Sequence, residues 1–164
     1  MSEFCSYCGA EHTATGWPRT CSGCQWVTYR NPTPVAVLLQ PVEPGGLLVI
    51  RRGIEPRRGF LALPGGYVDW QEPWQAAAAR ELREETGVAA EPGAIRAFDV
   101  QSPPDGRTVL IFGLAPALPA DALPAFRPTN ETTERALIAA PEEMAFPLHT
   151  AAVARWFGGW RGLS

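Results

Sequence analysis

Gly66-Tyr-Val-Asp-Trp-Gln-Glu72-Pro-Trp-Gln-Ala-Ala-Ala-Ala-Arg80-Glu81-Leu82-Arg83-Glu84-Glu85-Thr86-Gly87-Val88 is the segment on which the reading of this 164-residue chain turns. Its second half predicts a helix over 73–86. Pro73 suits a first helical position, Glu72 before it can cap, a run of alanines follows, and Gly87 supplies the stop.

The helix carries an unusual face. At ~100° per residue, Glu81 and Glu85 lie ~40° apart around the axis, with Glu84 ~60° to the other side of Glu81. Three carboxylates therefore share one side, while Ala79, Leu82 and Thr86 fall opposite and are expected to meet the core. Like charges at these spacings cost a few tenths of a kcal/mol per pair. They also sit near the helix C-terminus, where the macrodipole disfavours anions. A chain that accepts both penalties points to a compensating cation, and all-oxygen ligands suit Mg²⁺ or Mn²⁺ held with waters and a substrate phosphate. The alternative is a solvated acidic face.

Outward from this segment, the main unit reads as mixed α/β. Val35 to Leu39 and Leu47 to Arg52 read as a hairpin turned at Pro44-Gly45-Gly46. Phe60 to Leu63 is a shorter extended piece that ends at Pro64-Gly65-Gly66. Ile95 to Gln101 and Thr108 to Leu114 read as two further strands, joined through Pro103 to Gly106. Residues 115–130 read as a Pro- and Ala-rich loop. Glu134 to Ala140 is apolar enough for a strand or a helix, Pro141 to Phe146 suggests a helical turn, and His149 to Phe157 a terminal helix. A boundary is expected at Asn31-Pro-Thr-Pro34, giving units 1–30 and 31–164.

The first unit holds all four cysteines, as Cys5-Ser-Tyr-Cys8 and Cys21-Ser-Gly-Cys24. Two C-x2-C turns facing each other place four sulfurs at the corners of a tetrahedron, which suits zinc. Gly9 and Gly23 are the expected sources of backbone freedom in these turns. A thioredoxin-like redox pair would need a helix start in a βαβ unit, which neither motif has. Disulfides are the other alternative, disfavoured in a cytosolic chain. Structural zinc on Cys5, Cys8, Cys21 and Cys24 is the reading adopted.

Composition narrows the function. All 14 basic residues are arginine, and formal net charge is -3. Without lysine there is no P-loop lysine and no Schiff base. The only histidines are His12 and His149, which leaves little for a His-based triad. The acidic balance counts against nucleic acid as a partner, and no apolar run is long enough to span a membrane. With no signal-peptide pattern at the N-terminus, the expected compartment is the cytoplasm.

The quoted segment resembles the box of the Nudix hydrolase family, G-x5-E-x7-R-E-U-x-E-E-x-G-U with U aliphatic. Gly66, Glu72, Arg80, Glu81, Leu82, Glu84, Glu85, Gly87 and Val88 fill its specified positions in register. The resemblance implies an α/β/α sandwich with a mixed sheet, here preceded by a small zinc ribbon like that of NADH pyrophosphatase-related members. It implies a metal-dependent hydrolase cleaving the pyrophosphate bond of a nucleoside diphosphate linked to another moiety. Glu81, Glu84 and Glu85 would hold Mg²⁺ or Mn²⁺, and Zn²⁺ would be structural. Gly66, Glu72, Arg80 and Gly87 would support the site, with Glu72 and Arg80 as a bracing ion pair. A further glutamate from a later loop would assist; Glu131 is favoured over Glu134. A homodimer is implied as well. NADH-specific members carry a Ser-Gln-Pro-Trp-Pro-Phe-Pro-like segment downstream of the box, and Gln101-Ser-Pro-Pro-Asp-Gly106 lacks its aromatics. That departure counts against NADH as the dedicated substrate and leaves ADP-ribose, FAD and related compounds. Arg52, Tyr67 and Trp70 are the leading candidates for substrate contact, with Trp74, Phe112, Arg51, Arg57 and Arg58 behind them. The competing reading is a non-catalytic, nucleotide-sensing module on the same fold.

Overall fold

The computed structural model describes residues 3–13 and 15–163. The chain divides into two compact units, Met1–Pro32 and Thr33–Ser164. In the first, β1 (Arg19–Thr20) pairs antiparallel with β2 (Val27–Thr28).

The second unit is organised by β3 (Thr33–Glu43), which is buried on both faces. Its alternation divides the core in two. Ala36, Leu38 and Val42 pack with Ala77, Ala78 and Leu82 of α1 (Trp74–Thr86). Val37 and Leu39 pack with Val153 and Trp156 of α2 (Pro147–Phe157). A strand covered on both sides has no polar face to show, which is why 35–39 reads as a continuous apolar run. Pro34 and Pro41 lie inside the strand rather than at its ends; proline removes only one N–H and still accepts.

The remaining strands are β4 (Gly46–Arg52), β5 (Leu61–Ala62), β6 (Gly65–Tyr67), β7 (Arg96–Gln101), β8 (Thr108–Leu114), β9 (Leu118–Pro119) and β10 (Thr132–Ile138). The sheet runs β10-β4-β3-β8-β7, with β5 on β4 and both β6 and β9 on β3. β3 and β8 are parallel and the β3–β4 hairpin is antiparallel, so the sheet is mixed. With α1 on one face and α2 on the other, the unit is the expected α/β/α sandwich.

Four local expectations change. Pro64-Gly65-Gly66 is not only a turn: it leads into β6, paired with Val35–Val37. The ambiguous segment after 130 is a strand, because Arg135 to Ile138 pair with Ile50 to Leu47 on the sheet edge. Residues 141–146 form no helical turn. Glu72 does not cap α1; Pro73 holds the cap position and no side chain bonds there. Gly87 does end the helix in the left-handed region, at φ 76°, with its N–H on the Arg83 carbonyl.

Candidate active site and metal centres

Short β6 brings the loop before α1 against the acidic face of that helix. The Gly65 N–H donates to Glu85 Oε2 at 2.9 Å. A Cβ on Gly65 would fall on the Ala36 carbonyl oxygen and lie 2.7 Å from the Val37 Cα. A Cβ on Gly66 would land on the Glu81 carboxylate, 2.5 Å from its Cδ. Both glycines are thus demanded by close approach, one of backbone and one of a carboxylate. Gly66→Ala is expected to displace the Glu81 side chain and reduce turnover at least ~10-fold, with a much smaller change in melting temperature, since misplacing one reacting group is costly. Steady-state kinetics beside a thermal melt checks this.

Arg80 fixes the loop. Its Nε and Nη2 donate to Glu72 Oε1 and Oε2, each at 3.0 Å. Nη2 also donates to the Tyr67 carbonyl at 3.0 Å, and the Asp69 N–H donates to Glu72 Oε2 at 3.0 Å. The planar guanidinium pairs both oxygens of one carboxylate in a fork while also reaching a carbonyl, a geometry that the point charge of an ammonium does not match. Its hydrogen bond holds the Glu72 carboxyl below the ordinary carboxylate range, and Arg80 in turn is held more firmly protonated. Because the folded value is depressed, this pair stabilises the fold above the ordinary carboxylate range and loses that effect as pH falls. Arg80→Lys is expected to cost ~2 kcal/mol, the scale of a charged hydrogen bond lost at a half-buried site. Chemical denaturation at pH 7 and at pH 4 should show a smaller difference at the lower pH.

The three helix glutamates sit in different surroundings. The Glu84 side chain is 53% exposed and Glu81 15%, and Glu85 is buried at 9%. Helical periodicity sets Glu85 opposite the core and Ala79 on it; instead Glu85 is buried, as are Ala77, Ala78 and Leu82, and Ala79 is only half-buried. Burial pushes the Glu85 carboxyl up to about 8, against the pull of the Gly65 N–H, with Glu81 and Glu131 adding repulsion. Burial also raises Glu81, moderated by Arg80, whose Nη1 donates to Glu81 Oε1 at 2.6 Å. A desolvated carboxylate beside two like charges fits a divalent cation, which would offset their repulsion.

Glu131 and Glu134 separate clearly. Glu131 stands just before β10, its carbonyl accepting from the Gly53 N–H at 2.7 Å, and its charge acts on both Glu81 and Glu85. Glu134 is taken by Arg51, whose Nε donates to Oε2 at 2.6 Å.

A cavity of about 520 Å³ opens beside Glu85, walled by Val35, Val37, Leu63 and Leu110. Arg52 and Tyr67 line it, as does His149. Arg52 is steadied by a bond from Nε to the Pro56 carbonyl at 2.9 Å and lies 5.1 Å over the Phe146 ring. Trp70 is 90% exposed and is not among the lining residues. Phe112 is wholly buried and Trp74 packs on the core, so neither offers a free face to a base. Arg57 lies 5.7 Å over the Phe60 ring, away from this cavity. His149 and the Gly65 N–H escaped the sequence reading, because their roles depend on strand pairing and helix packing.

The first unit holds the other candidate centre. Cys5, Cys8, Cys21 and Cys24 place their sulfurs all within 4.8 Å of one another, and all four thiols are free. Sγ of Cys5 and Cys24 are 3.7 Å apart, those of Cys8 and Cys21 3.6 Å. A tetrahedron with Zn–S bonds of ~2.3 Å has edges of ~3.8 Å, so the donor set has the size zinc requires. Each knuckle closes by a bond from the fifth residue's N–H to the first cysteine's carbonyl: Gly9 to Cys5 and Gln25 to Cys21, both 2.9 Å. Gly9 has φ 74°, but the second left-handed position is Gln25 at φ 62°, not Gly23. Backbone N–H groups of Cys24 and Gly23 draw the Cys21 thiol down to about 7, toward the thiolate a metal binds.

The NUDIX domain family model matches residues 30–157. Over 88 residues, 52% of this chain, the sequence is 32% identical to the NAD-capped RNA hydrolase NudC of Salmonella heidelberg; the match spans 34% of that relative's length. A NUDIX hydrolase crystal structure from Nitrosomonas europaea superposes with a TM-score of 0.77 at 28% identity, covering 99% of this chain and 97% of that one. A bifunctional NMN adenylyltransferase/ADP ribose pyrophosphatase from Francisella tularensis, crystallised with AMP and a Mn ion, superposes with a TM-score of 0.57 at 26% identity, covering 68% of this chain and 35% of that one.

Proposed function

The chain belongs to the NUDIX domain family, and on that footing we propose that it hydrolyses the pyrophosphate bond of a nucleoside diphosphate linked to a second moiety, such as ADP-ribose, FAD or an NAD(H)-like compound. Glu81, Glu84 and Glu85 hold Mg²⁺ or Mn²⁺ in this reading, and residues 1–30 form a ribbon around structural Zn²⁺. Reduced thiolates of that kind agree with a cytoplasmic setting, and a homodimer is the assembly the resemblance implies. The observation that carries the reading is Glu85: a buried carboxylate repelled by Glu81 and Glu131, at the wall of a cavity that Arg52 also lines.

The chain's own groups then divide the work. A divalent ion on the glutamates would neutralise phosphate oxygens and acidify water. Arg80 orients the Glu81 carboxylate and braces the loop through Glu72. Arg52 offers a guanidinium to the diphosphate. Glu131, whose charge acts on Glu81 and Glu85, would take the proton of the attacking water. No covalent nucleophile is needed, in keeping with a chain that has no lysine. The products are a nucleoside monophosphate and a second phosphorylated compound. The test is turnover of ADP-ribose, FAD and NADH with Mg²⁺ or Mn²⁺, read as nucleoside monophosphate released. Tight nucleotide binding with no product from any of them would overturn the hydrolase and favour a sensor.

A further inference from the structure

The cavity beside Glu85 is lined by a buried histidine that the reaction does not use. His149 lies on α2, only 6% exposed, and lines the cavity. The Leu63 N–H donates to its Nδ1 at 3.3 Å. A nitrogen that accepts from an amide carries no proton, so in the neutral ring the proton is on Nε2. The ring is pinned by Phe112, edge-on at 5.8 Å, and by Phe146 at 5.2 Å. Nε2 has no hydrogen-bond partner among the described residues. It is also absent from the fully enclosed, unpartnered side-chain atoms, which among the described residues are the hydroxyls of Thr28 and Thr132. An unpartnered donor that keeps some accessible surface, on a residue lining a cavity, faces that cavity.

We propose that His149 presents its Nε2–H into the cavity as a neutral donor that reads an acceptor atom on the nucleobase of the substrate. The proposal rests on the reading of this cavity as a nucleotide site, and adds which end of the nucleotide enters it and what selects it. Burial, with Arg52 nearby, lowers the imidazole to about 3, so the donor is uncharged at any working pH. A neutral donor among Val35, Val37, Leu63 and Leu110 gives poor compensation for desolvating a phosphate. It suits a flat heteroaromatic ring, whose face meets the aliphatic walls and whose edge offers a ring nitrogen or carbonyl oxygen. Of the charged groups on the lining, Arg52, Glu55 and Glu85, the arginine is left for the diphosphate and Glu85 for its cation. A buried donor also rejects what cannot accept from it, because a ligand lacking the acceptor leaves the N–H dry and unpaired. His149 is a positioning and specificity residue in this scheme and takes no part in the bond cleavage.

The experiment uses the full chain and binding alone, so it is separable from turnover. Dissociation constants for AMP, GMP, CMP, UMP and ribose 5-phosphate are measured by calorimetry in the wild type, His149→Phe and His149→Gln. In the wild type at least one nucleotide should bind more tightly than ribose 5-phosphate. In His149→Phe that advantage should shrink about tenfold, the loss expected for one discriminating hydrogen bond. Ribose 5-phosphate should bind unchanged, and His149→Gln, which restores an amide donor, should recover part of the advantage. If no nucleotide outbinds ribose 5-phosphate, or the advantage survives in His149→Phe, the proposal is overturned. Should His149→Phe lose ribose 5-phosphate binding through misfolding, ¹⁵N spectra of the wild-type imidazole decide. The Nε2–H resonance must move with the preferred nucleotide and stay fixed with ribose 5-phosphate; movement with both or neither overturns the proposal. A chain that passes these tests yet releases no product would sink the hydrolase reading and leave this one standing.

Discussion

Glu85→Gln should lower kcat by about 10²–10³-fold, the several kcal/mol that a metal-held transition state is worth. Glutamine keeps the length of the side chain, and its carbonyl oxygen can still accept from the Gly65 N–H that now serves Glu85 at 2.9 Å. What it removes is the charge. The same substitution should also change how the metal-free protein responds to pH. Burial holds the Glu85 carboxyl up to about 8, whereas in the unfolded chain it returns to about 4.5. Between those values the folded protein keeps a proton that the unfolded chain has released. A raised folded value stabilises below the unfolded pKa, and that contribution is lost as pH rises through the folded one. Without added divalent cation the wild type should therefore lose stability from pH 5 to pH 8 with a limiting slope of ~1.4 kcal/mol per pH unit from this group. Mg²⁺, which favours the ionised form, should restore it most at the upper end. Glu85→Gln should flatten the slope and abolish most of the Mg²⁺ effect. Denaturation midpoints without and with added Mg²⁺, beside steady-state rates, check this. Equal turnover and equal slopes in the two proteins would mean that the cation binds elsewhere.

The contrast among Glu81, Glu84 and Glu85 also shows where the sequence stops being informative. Helical periodicity alone placed the three on one side of α1, and the capping signals located that helix to within one residue. The periodicity carries no information on what covers that side. Glu85 is buried because β6 passes beside it, and β6 exists because Gly65 and Gly66 can approach the Val35–Val37 backbone. From the sequence, Pro64-Gly65-Gly66 read only as a turn. The same limit applies to His149, isolated in the sequence, which meets Leu63 only through the packing of α2 on the sheet. The strands β3, β4 and β8 were legible because each holds an apolar run between turn residues, and β7 because Ala97, Phe98 and Val100 lie between turn residues on either side. The segment after 130 was not, since a half-exposed edge strand with Glu134, Arg135 and Leu137 has neither a clean period of two nor one of 3.6. Glu131 and Glu134 are near neighbours in sequence, yet a salt bridge to Arg51 claims one and leaves the other facing Glu81 and Glu85.

Cys21→Ser, or exhaustive chelation, should unfold the first unit outright. Strands of two residues each, β1 and β2, give it little hydrogen-bonded structure. Its largest aromatics lie open: Tyr7 is 71% and Trp26 49% exposed, and they stack on each other at 5.2 Å rather than burying a core. A module of this size has too little apolar area to offset the conformational entropy of ordering it. Structural zinc supplies an apparent ~10–16 kcal/mol at neutral pH, a large contribution for a unit this small. Loss of one thiolate from a four-sulfur set removes a ligand from the metal, while the backbone bond from Gln25 N–H to the Cys21 carbonyl remains and cannot hold the knuckle alone. The wild type should carry one zinc per chain by elemental analysis, and residues 3–32 should resist proteolysis only while it is present. The four thiols should also report the metal through pH, because each must lose its proton to bind: Cys21 is drawn down to about 7, whereas Cys24, despite the pull of the Trp26 N–H, is pushed up to about 12 by burial and its neighbouring sulfurs. Zinc retention in competition with a chelator should accordingly weaken as pH falls. A wild-type chain purified without zinc, or a zinc-free one whose first unit still resists protease, would show that the four sulfurs come together for some reason other than a metal.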